Sequence, residues 1–487
     1  MDHPLSIEPR PVFDFFQEIS AIPRGSGSTR EISRYCARVA QTHGLWYHQD
    51  RLGNILIRRP ADPGCEGAEP VILQAHLDMV WIRRPGRTEV HVLLERDGEL
   101  LRAQGSTLGA DDGIGVAYIL ALLTRREGRF PALEGLFTVD EETSMEGAAE
   151  FDVGLLQGRR MINLDSEEEG VLLVGSAGGV RLDASAQLPL RRRAFFQGEE
   201  VTLTLEGMEG GHSGTEIHKG RGNAIREMAG LLTELVRTCD PLVSAWTGGS
   251  FSNAIPAVSQ CRFAVERQDL PRVEAAAQRY QEQLRARLKG LPVAVSCQAV
   301  PLSGETAGVE AEALERLLTF VRGVPDGVCQ MDPRIPDMVA VSSNLGVLAL
   351  EEGGSCRLQF ALRSSQPGGK ESLTEEISSL AKNCGFLVES SGDYPAWVYR
   401  PDSPLRDAAC RTYERLNGAP MTVATIHAGT ECSMFAAKLP ELDCVSLGPD
   451  MTGIHSVEER LSIPSTRRVW DYLTALLVEL GRPAGRA

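Results

Sequence analysis

At five places in this chain a short apolar stretch meets acidic residues or a histidine, and that repeated junction limits the possible folds more than any other feature. The five are Leu73-Gln74-Ala75-His76-Leu77-Asp78, Gly109-Ala110-Asp111-Asp112-Gly113, Phe137-Thr138-Val139-Asp140-Glu141-Glu142, Ile162-Asn163-Leu164-Asp165, and Val445-Ser446-Leu447-Gly448-Pro449 with His455 in the loop behind it. A short apolar run without polar alternation reads as a strand buried on both faces, as in a parallel sheet. Val71 to Ala75, Leu136 to Val139, Met161 to Leu164 and Cys444 to Leu447 fit that pattern, and Gly113 to Leu123 reads as a buried helix. Further helices are expected over Val12 to Ile22, Thr29 to Thr42, Leu405 to Leu416 and Ser465 to Leu480. Alternating strands and helices give an α/β layer with a mainly parallel central sheet. In such an open sheet ligands bind beyond the carboxyl ends of the strands, so the histidines and acids are expected to converge on one rim.

Many carboxylates gathered at one place repel one another and resist burial. A cation relieves both costs. Histidine and carboxylate donors suit zinc, with manganese and cobalt as substitutes, and a carboxylate shared by two ions would build a two-metal site. Taken singly, each residue has a plainer reading. His76 alone would be a core histidine, but Asp78 two residues on can fix its tautomer. Glu141-Glu142 alone would be a solvated loop. Asp165 opens an acidic run whose later members, Glu167 to Glu169, are expected at the surface.

The character changes near Gly179. Alternating β-type residues from Val201 to Leu205, a long amphipathic helix over Pro271 to Leu288, and a strand–helix–strand set at Cys356 to Arg363, Lys370 to Asn383 and Phe386 to Glu389 describe an α+β domain. With 487 residues, two domains are expected. The boundaries are placed at 1–180 and 392–487 for a split catalytic domain and at 181–391 for an inserted lid or dimerisation domain. Gly175-Ser176-Ala177-Gly178-Gly179 lacks the Lys-Ser/Thr of a phosphate loop and is read as the hinge into the insertion. The net charge of −16 argues against nucleic acid as a partner, and Arg191-Arg192-Arg193 is too short to be a basic patch. Eleven cysteines without a Cys-x-x-Cys pair fit a reducing compartment; Cys432 lies near a motif described below. No basic start followed by an apolar stretch marks a secretory signal, and no apolar run reaches the roughly 18 residues of a membrane span. A cytoplasmic location is expected.

The segments HLDMV, GADDGIG, TVDEETSMEGA, NLDSEEEG, GGHSG, NAIP, IHAGTECSMF and GP-x5-HS occur in this order from about Leu5 to Leu480. Together they resemble the M20 metallopeptidases, and among these the aminoacyl-histidine (Xaa-His) dipeptidases. The resemblance implies a zinc-peptidase-like catalytic domain with an inserted lid or dimerisation domain, and a homodimer. It implies His76 and Asp165 as ligands of one zinc, Glu142 and His455 as ligands of the other, and Asp111 as the bridge, with a cis bond between Asp111 and Asp112. It implies Glu141 as general base and Asp78 as the residue orienting His76. His212 of the GGHSG motif would stabilise the oxyanion, in relatives often from the other subunit. Asn253, Arg363 and the N–H of Gly429 would hold the substrate backbone and its carboxylate, since arginine can grip a carboxylate bidentately. Two departures stand out: Asp112 replaces an asparagine common in close relatives, and DMTGIHSVEER lacks their usual proline before the histidine.

The activity implied is hydrolysis of unblocked dipeptides, Xaa-His and β-alanyl-His (carnosine-like) types included, by two zinc ions and a glutamate base. An N-acyl-amino-acid deacylase of the same superfamily is the alternative, against which the long insertion argues. A non-catalytic amino-acid-binding relative would be expected to have lost a ligand or the base, and none is missing.

Overall fold

The computed structural model describes residues 6–288, 290–333 and 338–482, so residues 1–5 and 483–487 at the outer ends of the expected catalytic segments lie outside it. The chain forms two units. One takes the chain up to Ser176, Trp397–Thr425 and everything from Thr430 onward; the other takes Ala177–Ala396 and Ile426–Gly429.

The first unit is built on an eight-stranded sheet. Its centre holds β1 (Val71–His76), β2 (Leu133–Thr138), β3 (Arg160–Asn163) and β4 (Asp443–Ser446) in the order β2-β1-β3-β4, every neighbouring pair parallel. Antiparallel strands flank them, with Ile55–Arg59 beside β2 and Val171–Ser176 beside β4. All residues of β1, β2 and β4 are buried, the polar Gln74, Glu134 and Asp443 included, so neither face shows the alternation of a half-exposed strand. The register sets His76 opposite Thr138, and Asn163 opposite both Gln74 and Ser446. The four parallel strands therefore end at nearly one level. Helix α1 (Ala110–Thr124) is buried from Ala110 through Leu123, as its apolar stretch from Gly113 to Leu123 requires. Its Asp111 and Asp112 have non-helical backbone angles, so regular helix begins at Gly113. Pro404–Asn417 and Ile463–Leu480 each carry a serine N-cap and a proline in the first turn.

The second unit holds a nine-stranded sheet whose described pairings are antiparallel. The expected strand–helix–strand set occupies Ser355–Ser364, Gly369–Asn383 and Leu387–Tyr394, and the long helix spans Leu270–Arg287. The alternation at Val201 to Leu205 belongs to a longer strand, Leu190–Glu206, in which Arg191 and Arg193 pair with Asp240. This unit has its own core around Trp246, Phe263, Phe320 and Phe360. Among the described residues no helix is long and apolar enough to cross a membrane.

The glycine-rich stretch at 175–179 carries the chain from one unit to the other, since the first ends at Ser176 and the second begins at Ala177. It is made of strand ends, because Val171–Ser176 and Gly178–Gln187 are strands separated by Ala177 alone. Its glycines serve close packing: a Cβ on Gly178 would lie 2.6 Å from the Ala396 nitrogen and 2.7 Å from the Pro395 carbonyl carbon. Gly178→Ala is expected to destabilise the protein by about 1–3 kcal/mol, the usual cost of overpacking. An unchanged thermal unfolding midpoint would contradict this packing.

Candidate metal centre

The strand ends deliver the acids. β1 closes on His76, with Asp78 two residues on. After β2, Asp140 takes a left-handed backbone (φ 59°) and turns the chain into Glu141 and Glu142. Asp165 follows β3 by two residues, and Asp111 comes from the irregular first turn of α1. His455, also left-handed at φ 56°, sits in the loop after β4. Positive φ is uncommon outside glycine and gathers where the surroundings fix it. The Asp111-Asp112 bond is cis.

These side chains meet. His76 Nε2 lies 3.0 Å from Asp111 Oδ1 and 3.4 Å from Asp165 Oδ1. His455 Nε2 lies 3.1 Å from Asp111 Oδ2 and 2.9 Å from the Glu142 carboxylate. Two three-ligand groups result, His76–Asp111–Asp165 and Asp111–Glu142–His455, and each uses a different oxygen of Asp111. Glu141 joins His76 and Glu142 in a third, overlapping group. Donors about 2.0–2.1 Å from a tetrahedral metal ion stand about 3.3 Å apart, so these spacings are compatible with metal binding.

The charges point the same way. Burial pushes Asp165 up to about 8, and raises Glu141 and Asp112 well above the ordinary carboxyl range. Burial also opposes ionisation of Asp111, but hydrogen bonds from His455 and His76 override it and hold this carboxylate low. His455 is lifted to about 11 by its bonds to Asp111 and Glu142. The carboxyls need more positive charge than the two imidazoles supply. Two imidazoles and three carboxylates are a donor set that suits a pair of divalent cations.

Asp78 does more than face His76. Its carboxylate is 3.5 Å from His76 Nδ1, farther than its own backbone carbonyl at 3.2 Å. It also accepts the N–H groups of Glu141 (3.0 Å) and Glu142 (3.3 Å) and the Ser26 hydroxyl (2.8 Å). Burial alone would raise its pKa; His76 and Ser26 bring it to about 2. It thus holds the loop that carries Glu141 and Glu142. Glu169, expected at the surface, instead pairs with Arg468 at 2.6 Å, while Glu167 and Glu168 are exposed. Cys432 is fully buried, with a free thiol and no place in any of the three ligand groups.

Two residues that the sequence did not single out brace the centre. Arg24, fully buried, donates to the carbonyls of Leu77 (3.1 Å), Asp78 (3.0 Å) and Gly109. Gly109 and Gly113 leave room for it: a Cβ on either would stand 2.6 or 2.4 Å from its guanidinium. Glu459 accepts the N–H groups of Leu108 (2.7 Å), Gly109 (2.9 Å) and Ala110 (2.8 Å), tying the Asp111 turn to the loop of His455. The one available signal was the position of Glu459, four residues past His455. Deeper, Glu431 accepts from Gln74 (2.6 Å) and Thr138 (2.6 Å), forming a buried polar layer under the strand ends.

The second unit gathers the other expected residues. His212 pairs in register with Ala254, and the Ser213 N–H donates to the Asn253 carbonyl at 2.8 Å. His212 Nδ1 accepts the Thr215 N–H (3.2 Å), which leaves its proton on Nε2. Burial, then the charge of Arg363, lowers its pKa, so the ring is a neutral donor. Arg363 is buried rather than a surface strand residue; it donates to the Tyr394 hydroxyl at 2.8 Å, and its Nε has no partner among the described residues. Asn253 and Arg363 line a cleft of about 450 Å³ with Tyr394 and Phe251. Gly429 is half-buried in the same unit and is not among the lining residues.

Residues 72–479 match the sequence model of Peptidase family M20/M25/M40. The chain belongs to this family. As an M20 peptidase it is a hydrolase. It is 35% identical over 481 residues to the cytosol non-specific dipeptidase of Escherichia coli (strain K12), covering 97% of this chain and 98% of that one. The crystal structure of aminoacylhistidine dipeptidase from Vibrio alginolyticus superposes with a TM-score of 0.86 at 32% identity, covering 98% of both chains. A tripeptidase from Staphylococcus aureus shares the fold, with a TM-score of 0.57 at 15% identity over 98% of this chain and 99% of that one.

Glu459→Ala would strand three buried N–H groups, each costing about 1–3 kcal/mol. The variant is expected to melt earlier and to keep less metal on purification, measured by elemental analysis. Glu458→Ala, at an exposed residue paired with Arg84, serves as the near-neutral control. Equal metal content in both variants would contradict the brace.

Proposed function

We propose that the protein is a dinuclear zinc dipeptidase that hydrolyses unblocked dipeptides, with Xaa-His and β-alanyl-His among its substrates. The observation that carries this reading is the pair of ligand groups joined through the two oxygens of Asp111. His76, Asp165 and Asp111 would hold one ion, and Asp111, Glu142 and His455 the other; manganese or cobalt could replace zinc. The bound pair supplies Lewis acidity, which polarises the scissile carbonyl and acidifies water.

The protein's own groups do the rest. Glu141 takes the proton of the attacking water and passes it to the leaving amine. Asp78 fixes Glu141 through the Glu141 N–H and faces the ring of His76. His212, neutral and with its proton on Nε2, donates to the oxyanion. Arg363, with an unpartnered Nε, grips the carboxylate of the second residue, supported by Asn253 and the N–H of Gly429. The protein acts in the cytoplasm, a reading supported by the name of the Escherichia coli relative, and as a homodimer, which the family resemblance implies. That relative is named non-specific, and the Vibrio alginolyticus one is named for aminoacyl-histidine substrates, so the expected range includes Xaa-His without being confined to it.

A dipeptide panel with and without chelation tests this. Cleavage is expected to stop on chelation and to return with zinc. Glu141→Gln should lower kcat by about 10²–10⁴ while metal stays near two per subunit, and His212→Ala by about 10²–10³. Full activity of Glu141→Gln would sink the mechanism. Release of acetyl groups from acetyl-amino acids, with no dipeptide cleaved, would replace the substrate class.

A further inference from the structure

The cleft of about 450 Å³ lies wholly within the second unit, and it holds a second arginine that the mechanism above does not use. Arg181 stands on the strand Gly178–Gln187, and Arg363 on its antiparallel neighbour Ser355–Ser364. The register pairs Arg181 with Ala361 and Gly179 with Arg363. The two arginines are therefore diagonal neighbours on one face of the sheet, their backbones roughly 7–8 Å apart. The other two corners stay low. Ala361 fills one, and Gly179 the other, where a Cβ would stand 2.6 Å from the Tyr394 ring whose hydroxyl accepts from Arg363. Residues 250–253 supply a wall. Asn344, opposite Ala361 on the next strand, holds that wall by donating to the carbonyls of Ser252 (2.8 Å) and Ala254 (2.9 Å).

The charge of this cleft has one sign. Its described lining residues include both arginines and no acid. The acids closest along the strands are engaged elsewhere: Asp183 accepts from Arg357 (2.9 Å) and Gln359 (2.7 Å), and Asp393 pairs with Lys370. Among the described residues the exposed Arg181 side chain has no hydrogen-bond or ion-pair partner, and Arg363 keeps its Nε unpaired. Two adjacent guanidiniums with free donors call for two anionic groups.

We propose that the cleft is a site for a dianion, the terminal glutamate or aspartate of a peptide, with Arg363 on the α-carboxylate and Arg181 on the side-chain carboxylate. The peptide in this inference rests on the dipeptidase reading; the dianion rests on the second unit alone. Each guanidinium can grip one carboxylate, so a ligand with a single carboxylate leaves Arg181 unmatched. A lysine side chain in the same place would meet like charge. Arg181 is exposed and its ion pair is screened, so the preference is expected to be about threefold to fivefold.

Two readouts on the zinc-loaded, full-length protein test this in the wild type, Arg181→Met and Arg181→Glu. Titration calorimetry compares glutarate with butyrate, and kcat/KM is compared for Ala-Glu, Ala-Gln and Ala-Lys. Glutarate is expected to bind about threefold to fivefold more tightly than butyrate, and Ala-Glu to exceed Ala-Gln by a similar factor. Both preferences should vanish in Arg181→Met. Arg181→Glu should raise Ala-Lys relative to Ala-Glu, a gain that damage to the fold cannot produce. Equal binding of glutarate and butyrate, or preferences that Arg181→Met leaves unchanged, would overturn the site while cleavage of Ala-Gln keeps the dipeptidase reading intact. A glutarate preference that depends on Arg181, without one for Ala-Glu, would overturn the peptide and make a free dicarboxylate the ligand. Cleavage of no dipeptide would overturn the dipeptidase reading, and the glutarate titration would still decide whether the cleft takes a dianion.

Discussion

The centre depends on one carboxylate that faces two imidazoles. Asp111 presents Oδ1 to His76 and Oδ2 to His455, and Asp165 and Glu142 close the two groups on either side. Buried acids in such number are tolerated only with positive charge among them. The imidazoles and the buried Arg24 supply part of it, and the ligand atoms of each group lie within 4.8 Å of one another, close enough to share a cation.

That arrangement constrains the fold of the first unit. Parallel strands in near-common register are what bring His76, Glu141, Glu142 and Asp165 to one edge. The turns beyond the strands need further support. Asp78 holds the turn that carries Glu141 and Glu142, Arg24 ties the end of β1 to Gly109, and Glu459 ties the Asp111 turn to the His455 loop. The glycines of the GADDG motif are spacers for this support: both make room for a guanidinium, and Gly109 also takes a left-handed backbone (φ 67°) that favours glycine.

The second unit solves a different problem with a different sheet. Its antiparallel strands and separate core present neutral and cationic groups, His212, Asn253 and Arg363, instead of acids. The backbone fixes the tautomer of His212, and Arg363 spends one hydrogen bond on Tyr394 while keeping Nε unpaired. A donor-rich cleft of this kind suits an anionic group of a ligand.

Much of this was legible in the sequence because its cause is local. Buried strands and a buried helix write themselves as apolar runs, so β1 to β4 and α1 were found within a few residues, and the acids and histidines at their ends marked the rim. The motif resemblance then assigned roles to those acids that spacing alone leaves open. Tertiary structure decided what depends on distant segments coming together. Arg24 lies 85 residues from Gly109, and Glu459 lies 351 residues from Leu108, so no periodicity could report either contact. The stretch at 175–179 reads as the hinge into the insertion, and the chain does pass between units at Ser176–Ala177; only the packing of Pro395 and Ala396 against Gly178 shows that its glycines also serve close approach. Sequence determined which groups this protein can bring to a metal, because burial and charge act residue by residue. Structure decided which oxygen faces which imidazole, because that depends on strand register and on braces reaching across the chain.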